Sequence, residues 1–185
     1  MQIDVFIKST EQKILSLFAM NPDRPFYGRE ISKKLKISLG AAHAALISLE
    51  TRGILHSQRV GKTKLYRTEA LNPIIQSFRV LNALLVLEPL IEALKDISRQ
   101  AILFGSYATG SFSASSDLDL FIVSREKEKI LRIIESFKRK SELDIRPIIK
   151  DQVEWMKLEK GSPEFFDELG RGITLWEKPV GESGF

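Results

Sequence analysis

The sequence predicts an α+β protein of two domains with an apolar helical segment between them. Three observations carry this. Residues 1–72 hold apolar stripes at helical spacing followed by two short alternating runs, residues 73–98 are dense in Leu and Ile, and residues 99–185 open on a strand, a Gly-Ser turn and a second strand bearing two aspartates. The charge divides along the same line, with 12 Lys/Arg against 6 Asp/Glu in residues 1–72 and 16 against 18 in residues 73–185. The net +4 belongs to the first domain. A cationic first domain and a carboxylate-bearing second one point to a polyanion for the former and a cation with an anionic ligand for the latter.

At 185 residues, with 43% hydrophobic and 28% charged side chains, the chain is long enough for two small cores. It has no cysteine, which excludes disulfides and thiolate zinc sites and permits a reducing compartment. His43 and His56 are not at metal-ligand spacing from another His or Cys, so a hydrolytic zinc centre is not expected. The start, MQIDVFIKSTEQ, lacks the basic-then-apolar pattern of a signal, and no run approaches the roughly 18 apolar residues of a membrane span. The expectation is a cytoplasmic protein without a membrane partner.

In the first domain, Ile14, Leu15, Leu17 and Phe18 recur at helical spacing after a candidate cap at Ser9 or Thr10, and Asn21-Pro22 stops the helix. Residues 27–35 read as a short second helix. Ser38 caps a third, whose inward stripe is Ala42, Ala45, Leu46 and Leu49 and which ends at Arg52-Gly53. Residues 54–60 and 64–68, joined around Gly61-Lys62, read as a β-hairpin.

Helix, short helix, turn, helix and hairpin over residues 9–70 resemble a winged helix-turn-helix domain, placed at residues 1–72. The resemblance implies DNA as a partner, with Ser38, Gly40, Ala41, His43 and Ala44 of the third helix facing the major groove and Arg59, Lys62, Lys64 and Arg67 in or beside the wing. The wing cations suit phosphate contacts. The helix offers small side chains, and only Ser38 and His43 can hydrogen-bond to a base, so salt-sensitive binding of modest sequence specificity is expected. A winged helix serving as a protein-interaction module is the alternative.

Residues 73–98 recur helically and are interrupted by Pro89. A helix apolar around most of its girth needs burial on more than one side. It reads as an intramolecular brace between the domains or as a dimerisation segment giving a homodimer.

The second domain, residues 99–185, centres on AILFGSYATGSFSASSDLDLFIV, residues 101–123. Alternation in a strand puts Asp117 and Asp119 on one side and Leu118, Leu120 and Ile122 on the other. Two carboxylates about 7 Å apart repel unless a cation lies between them, and hard oxygens suit Mg²⁺ or Mn²⁺. Gly105 permits close approach of a phosphate, and the Ser106 hydroxyl can donate to it.

Phe104-Gly105-Ser106, ten residues, then Asp117-Leu118-Asp119-Leu120 resembles the GSX10DXD signature of the minimal branch of the DNA polymerase beta superfamily of nucleotidyltransferases, over residues 99–150. The resemblance implies a mixed sheet flanked by helices. It also implies metal binding and catalysis by Asp117 and Asp119, a Gly105-Ser106 turn holding a nucleoside triphosphate, with ATP the expected donor, and a third carboxylate from a neighbouring strand. Asp144, between Leu143 and Ile145, is the candidate, with Glu142 the second choice. Thr109 stands where many minimal members carry Arg.

The activity implied is metal-dependent transfer of a nucleoside monophosphate to a hydroxyl, with Asp144 completing the metal site and taking the proton. The acceptor is open: a protein hydroxyl, as on a HEPN-type toxin, a small molecule or a nucleic-acid end. The competing reading is a winged-helix transcriptional regulator whose second domain senses nucleotide or is inactive. Beyond the signature, Ser124 caps a helix over 125–140 whose end, Lys138-Arg139-Lys140, reads as solvated. Residues 151–169 form one or two helices broken at 161–163, and Ile173 to Glu177 a closing strand.

Overall fold

The computed structural model describes residues 7–113, 115–141 and 143–179. The chain divides into two compact units, one running to Leu85 and the other from Val86.

The first unit contains α1 (Thr10–Ala19), β1 (Phe26–Tyr27), α2 (Gly28–Leu35), α3 (Leu39–Thr51), β2 (His56–Val60), β3 (Thr63–Arg67) and the start of α4 (Pro73–Leu94). Its boundaries follow from local chemistry. Ser9 and Gln12 cap α1 reciprocally. Lys36, at φ 52, closes α2 in the left-handed conformation, and the Ser38 hydroxyl accepts the Ala41 N–H at 3.1 Å to start α3. Gly53, at φ 70, ends it. Ile14, Phe18, Phe26, Ile31, Leu46 and Leu49 form the core, where Phe18 meets Phe26 edge-on at 5.4 Å. The sheet order is β1-β3-β2, all antiparallel. The two-residue strand β1 was not expected: it is too short to show a period, and its pairing of Phe26 with Tyr66 is a tertiary contact.

α4 is continuous through Pro89, where an interruption was expected. Pro89 leaves the Leu85 carbonyl without its helical donor, at the turn where the chain divides. The stretch Pro73–Ile97 is also long and apolar enough to cross a membrane by length and composition, against the expectation from the sequence. Along it Ile75, Ala83, Leu87, Leu90, Ile91 and Leu94 are buried, while Ile74 and Leu81 are exposed.

The second unit continues with a 3₁₀ turn (Lys95–Ile97), β4 (Gln100–Phe104), α5 (Gly105–Thr109), β5 (Leu118–Val123), α6 (Lys127–Ser141), β6 (Ile145–Lys150), α7 (Gln152–Gly161), α8 (Pro163–Gly170) and β7 (Ile173–Glu177). The sheet is mixed, in the order β6-β5-β4-β7. β5 and β6 run parallel, joined by α6, and the other pairs are antiparallel.

Register fixes the two faces of this sheet. Phe104 pairs with Asp119 and Ile102 with Phe121, while Asp119 and Phe121 lie beside Arg146 and Ile148 of β6. These residues share one face, and its apolar part is closed by α7 and α8 through Phe104–Phe165 and Phe121–Trp155 ring contacts at 5.6 and 5.2 Å. The opposite face buries Ala101, Leu103, Leu118, Leu120 and Ile122. The acidic positions are therefore the polar end of an otherwise apolar face.

Candidate active site

β5 is apolar on both sides except at its start. Leu118 and Leu120 are fully buried and anchor the strand, so Asp117 and Asp119 are both carried to the other side of the sheet. Each is half-buried. The ladder continues one residue before β6, where the Leu118 N–H donates to the Asp144 carbonyl at 2.8 Å. Asp144 thus stands next to Asp117 and Arg146 next to Asp119, two acids on β5 facing an acid and a base at the head of β6.

The bases are engaged. Arg146 Nη2 pairs with Asp117 Oδ2, and Lys138 Nζ of α6 lies 2.9 Å from Asp144 Oδ1. The Lys138 hydrogen bond holds the Asp144 carboxyl below its ordinary range, with smaller contributions from Asp117 and the Arg146 charge, and Asp144 in turn raises Lys138. Burial pushes the Asp119 carboxyl up. Arg146 pulls it back, and Asp117 and Glu168 of α8 add to the rise. Sequence reading missed Arg146 and treated Lys138 as a solvated helix end. The signal for Arg146 was present, since it lies two residues past Asp144 and so on the same face of a strand.

Gly105 is the second component. Its φ is +67, and a Cβ there would stand 2.7 Å from Asp119 Oδ2. Only glycine both adopts this conformation without strain and leaves room for the carboxylate. Ser106 follows in α5, which at five residues contributes little macrodipole, so an anion here would rely on individual N–H groups and the Ser106 hydroxyl. The Ser106 carbonyl is used internally, accepting from Thr109 Oγ1 at 3.1 Å and from the Ser111 N–H at 3.0 Å.

The donor chemistry of Asp117 and Asp119 fits a hard divalent cation: two half-buried carboxylates side by side against a glycine turn. Asp144 is 70% exposed and committed to Lys138, and no cluster of three metal-ligating side chains is assembled among the described residues. Glu142, the second choice for the third carboxylate, lies outside the described residues.

Residues 87–171 match the nucleotidyltransferase domain family. A protein described as a candidate protein adenylyltransferase of Methanocaldococcus jannaschii is 40% identical over 62 residues, covering 30% of this chain and 63% of that protein. The chain thus spans less than two thirds of that relative's length. Among solved structures, a candidate nucleotidyltransferase from Sulfolobus solfataricus is 18% identical with a TM-score of 0.34, over 56% of this chain and 84% of its own. Reduced HlyU from Vibrio cholerae is 20% identical with a TM-score of 0.35, over 40% of this chain and 74% of its own. The nucleotidyltransferase match spans the Gly105-Ser106 turn and all three aspartates.

In the first unit, outside the nucleotidyltransferase match, the outer surface of α3 has its own character. Ser38, Gly40, His43 and Ala44 are exposed and Ala41 is half-buried. Between them stand Leu39, 42% exposed, and Ile47, 55% exposed, so the face is neutral and partly apolar. His43 rests against α2, where a Cβ on Gly28 would lie 3.3 Å from its Nε2. Arg59, Lys62 and Arg67 are exposed on the hairpin. Lys64 is not free: its ammonium bonds to Glu50 of α3 at 3.0 Å, and Glu50 also accepts from the Ser57 hydroxyl. This set ties the hairpin to the helix.

Proposed function

We propose that the second unit transfers a nucleoside monophosphate from ATP to a hydroxyl acceptor, and that the first unit couples this activity to DNA. The observation that carries the reading is the fit of Asp119 against Gly105, which sets an ionisable carboxylate pair directly beside a turn able to accept a phosphate chain. Asp117 and Asp119 would hold Mg²⁺ or Mn²⁺, with Asp144 supplying further negative charge beside Asp117. Such an ion polarises phosphoryl oxygens and lowers the pKa of an acceptor hydroxyl. The Ser106 hydroxyl and the N–H groups of the turn would hold the β and γ phosphates. The acceptor oxygen attacks the α-phosphorus, the bond from that phosphorus to the bridging oxygen breaks, pyrophosphate leaves, and the hydroxyl proton passes to a carboxylate of the set.

The description of the M. jannaschii relative supports a protein hydroxyl as acceptor, and a HEPN-type toxin is the partner suggested by the resemblance to minimal nucleotidyltransferases. DNA would meet the wing through Arg59, Lys62 and Arg67, whose exposure supports phosphate contacts. The face of α3 adds little hydrogen-bonded base readout. Ile74 and Leu81 are exposed on the first half of α4, a surface that a second copy in a homodimer would cover.

The pairing of Arg146 with Asp117 and of Lys138 with Asp144 favours a second reading, a DNA-binding regulator whose second unit binds nucleotide without turnover. Incubation with Mg²⁺ and α-labelled ATP, alone and with the product of a neighbouring gene, separates the two. Label transferred by the wild type and not by Asp117→Asn supports the enzyme. Nucleotide binding without transfer, together with nucleotide-dependent DNA binding, supports the regulator.

A further inference from the structure

The guanidinium beside the acid pair has a use of its own. Arg146 lies across the parallel ladder from Asp119 while its Nη2 pairs with Asp117 Oδ2, so one cation serves both carboxylates. Its side chain is 67% exposed, which lets it swing away with little loss of packing. A carboxylate oxygen paired with a guanidinium is a poorer ligand for a dication, because the two cations repel at short range. A metal that takes Asp117 Oδ2 must compete with Arg146 for it.

A second observation says where the displaced group goes. The turn and loop over residues 105–116, GSYATGSFSASS, carry no Lys or Arg, so the charge of a phosphate chain seated there is unmet by its own segment. Of the two bases at the head of the acidic site, Lys138 is held by Asp144 and has Glu135 within 3.8 Å. Arg146 is the one that metal binding would release, and its planar fork matches phosphate oxygens.

Building on the metal-dependent reading above, we propose that Arg146 is a displaceable counter-ion. It neutralises Asp117 and Asp119 in the absence of ligand, competes with the divalent cation for Asp117, and is taken over by the phosphates of the incoming nucleoside triphosphate. Cation and nucleotide then load cooperatively, because each removes the obstacle to the other.

The test is Mn²⁺ binding to the full chain, read by calorimetry or by the electron paramagnetic signal of free Mn²⁺, with and without the non-reacting analogue α,β-methylene-ATP. Arg146→Met is expected to bind Mn²⁺ about tenfold more tightly than wild type without nucleotide, by loss of the competing charge. The analogue is expected to strengthen Mn²⁺ binding in wild type and to do so less in the variant. Arg146→Lys, which keeps the charge without the fork, guards against misfolding of the first variant. It should match wild type without nucleotide and show a smaller gain with it. Equal or weaker Mn²⁺ binding by a folded Arg146→Met, or an equal analogue effect in all three proteins, overturns the proposal while leaving the metal site standing. Failure of wild type and both variants to bind Mn²⁺ with or without the analogue overturns the metal reading itself, and the proposal with it.

Discussion

On the hairpin of the first unit, Arg59, Lys62 and Arg67 stand exposed and only Lys64 is held, by Glu50. At the head of the second unit's sheet the pattern inverts: Asp117 and Asp144 are held by Arg146 and Lys138, and Asp119 is half-buried against Gly105. The difference bears on how each surface would meet the ligand proposed for it. A surface for a polyanion can leave its cations in water, where they repel little and cost little to keep. Acids packed together on a half-buried strand repel strongly, so they need compensation before a ligand arrives. On the proposed function, binding at the first surface would be an addition and binding at the second an exchange.

The sharpest way to break this contrast is to remove the acids. Asp117→Asn or Asp119→Asn should lower nucleotidyl transfer by at least about a thousandfold, as expected when a metal ligand and its electrostatic role are lost, while thermal unfolding changes little. A large loss of Tm would mean that these residues hold the fold. Next is Gly105→Ala. The left-handed φ costs about 1–2 kcal/mol, and the added Cβ must push Asp119 aside. The clashing atom is the end of the Asp119 side chain rather than backbone, so the larger expected effect is on the site, about a hundredfold in rate from misplacement of a reacting group. Full activity in this variant would remove the argument for a close Gly105–Asp119 fit.

On the DNA side the effects are smaller. Arg59→Ala and Lys62→Ala should each weaken binding uniformly across sequences and lower the slope of log K against log salt by about 0.9. Lys64→Ala should change that slope less, because Glu50 already neutralises it, and should lower the Tm instead. Equal slopes for the three variants would show that the Glu50 pair opens on DNA.

How these residues divide between predictable and unpredictable follows from what a sequence records. Helix ends were legible because capping is local: Ser9, Ser38 and Gly53 do what their side chains or lack of one dictate. The pairing of Asp117 with Asp119 on one side of β5 was legible from a period of two. The role of Arg146 needed the parallel register of β5 and β6, a contact between residues far apart in the chain. The role of Lys138 needed the placement of the end of α6. Lys64 was taken for a free cation because Glu50 is fourteen residues away and its approach depends on how the hairpin folds back.

The smallest effect concerns that same acid. The Ser57 hydroxyl, and after it Lys64, holds the Glu50 carboxyl below its ordinary 4.5. A depressed folded value means stability that is present above 4.5 and lost as the pH falls through the folded value. Glu50→Gln should therefore lower the Tm by a few degrees at pH 7, with the gap to wild type closing as the pH is taken below 4.5. A gap that persists in acid would assign the loss to packing.

The proposed activity requires that the acid pair direct chemistry to the α-phosphorus. ATP labelled in turn at the α and γ positions, incubated with Mg²⁺, the full chain and its neighbouring-gene product, reads this directly. The α label is expected to enter the acceptor, the γ label to leave in pyrophosphate, and Asp119→Asn to abolish both. Label following the γ phosphate, or transfer undiminished in Asp119→Asn, would contradict the proposed activity.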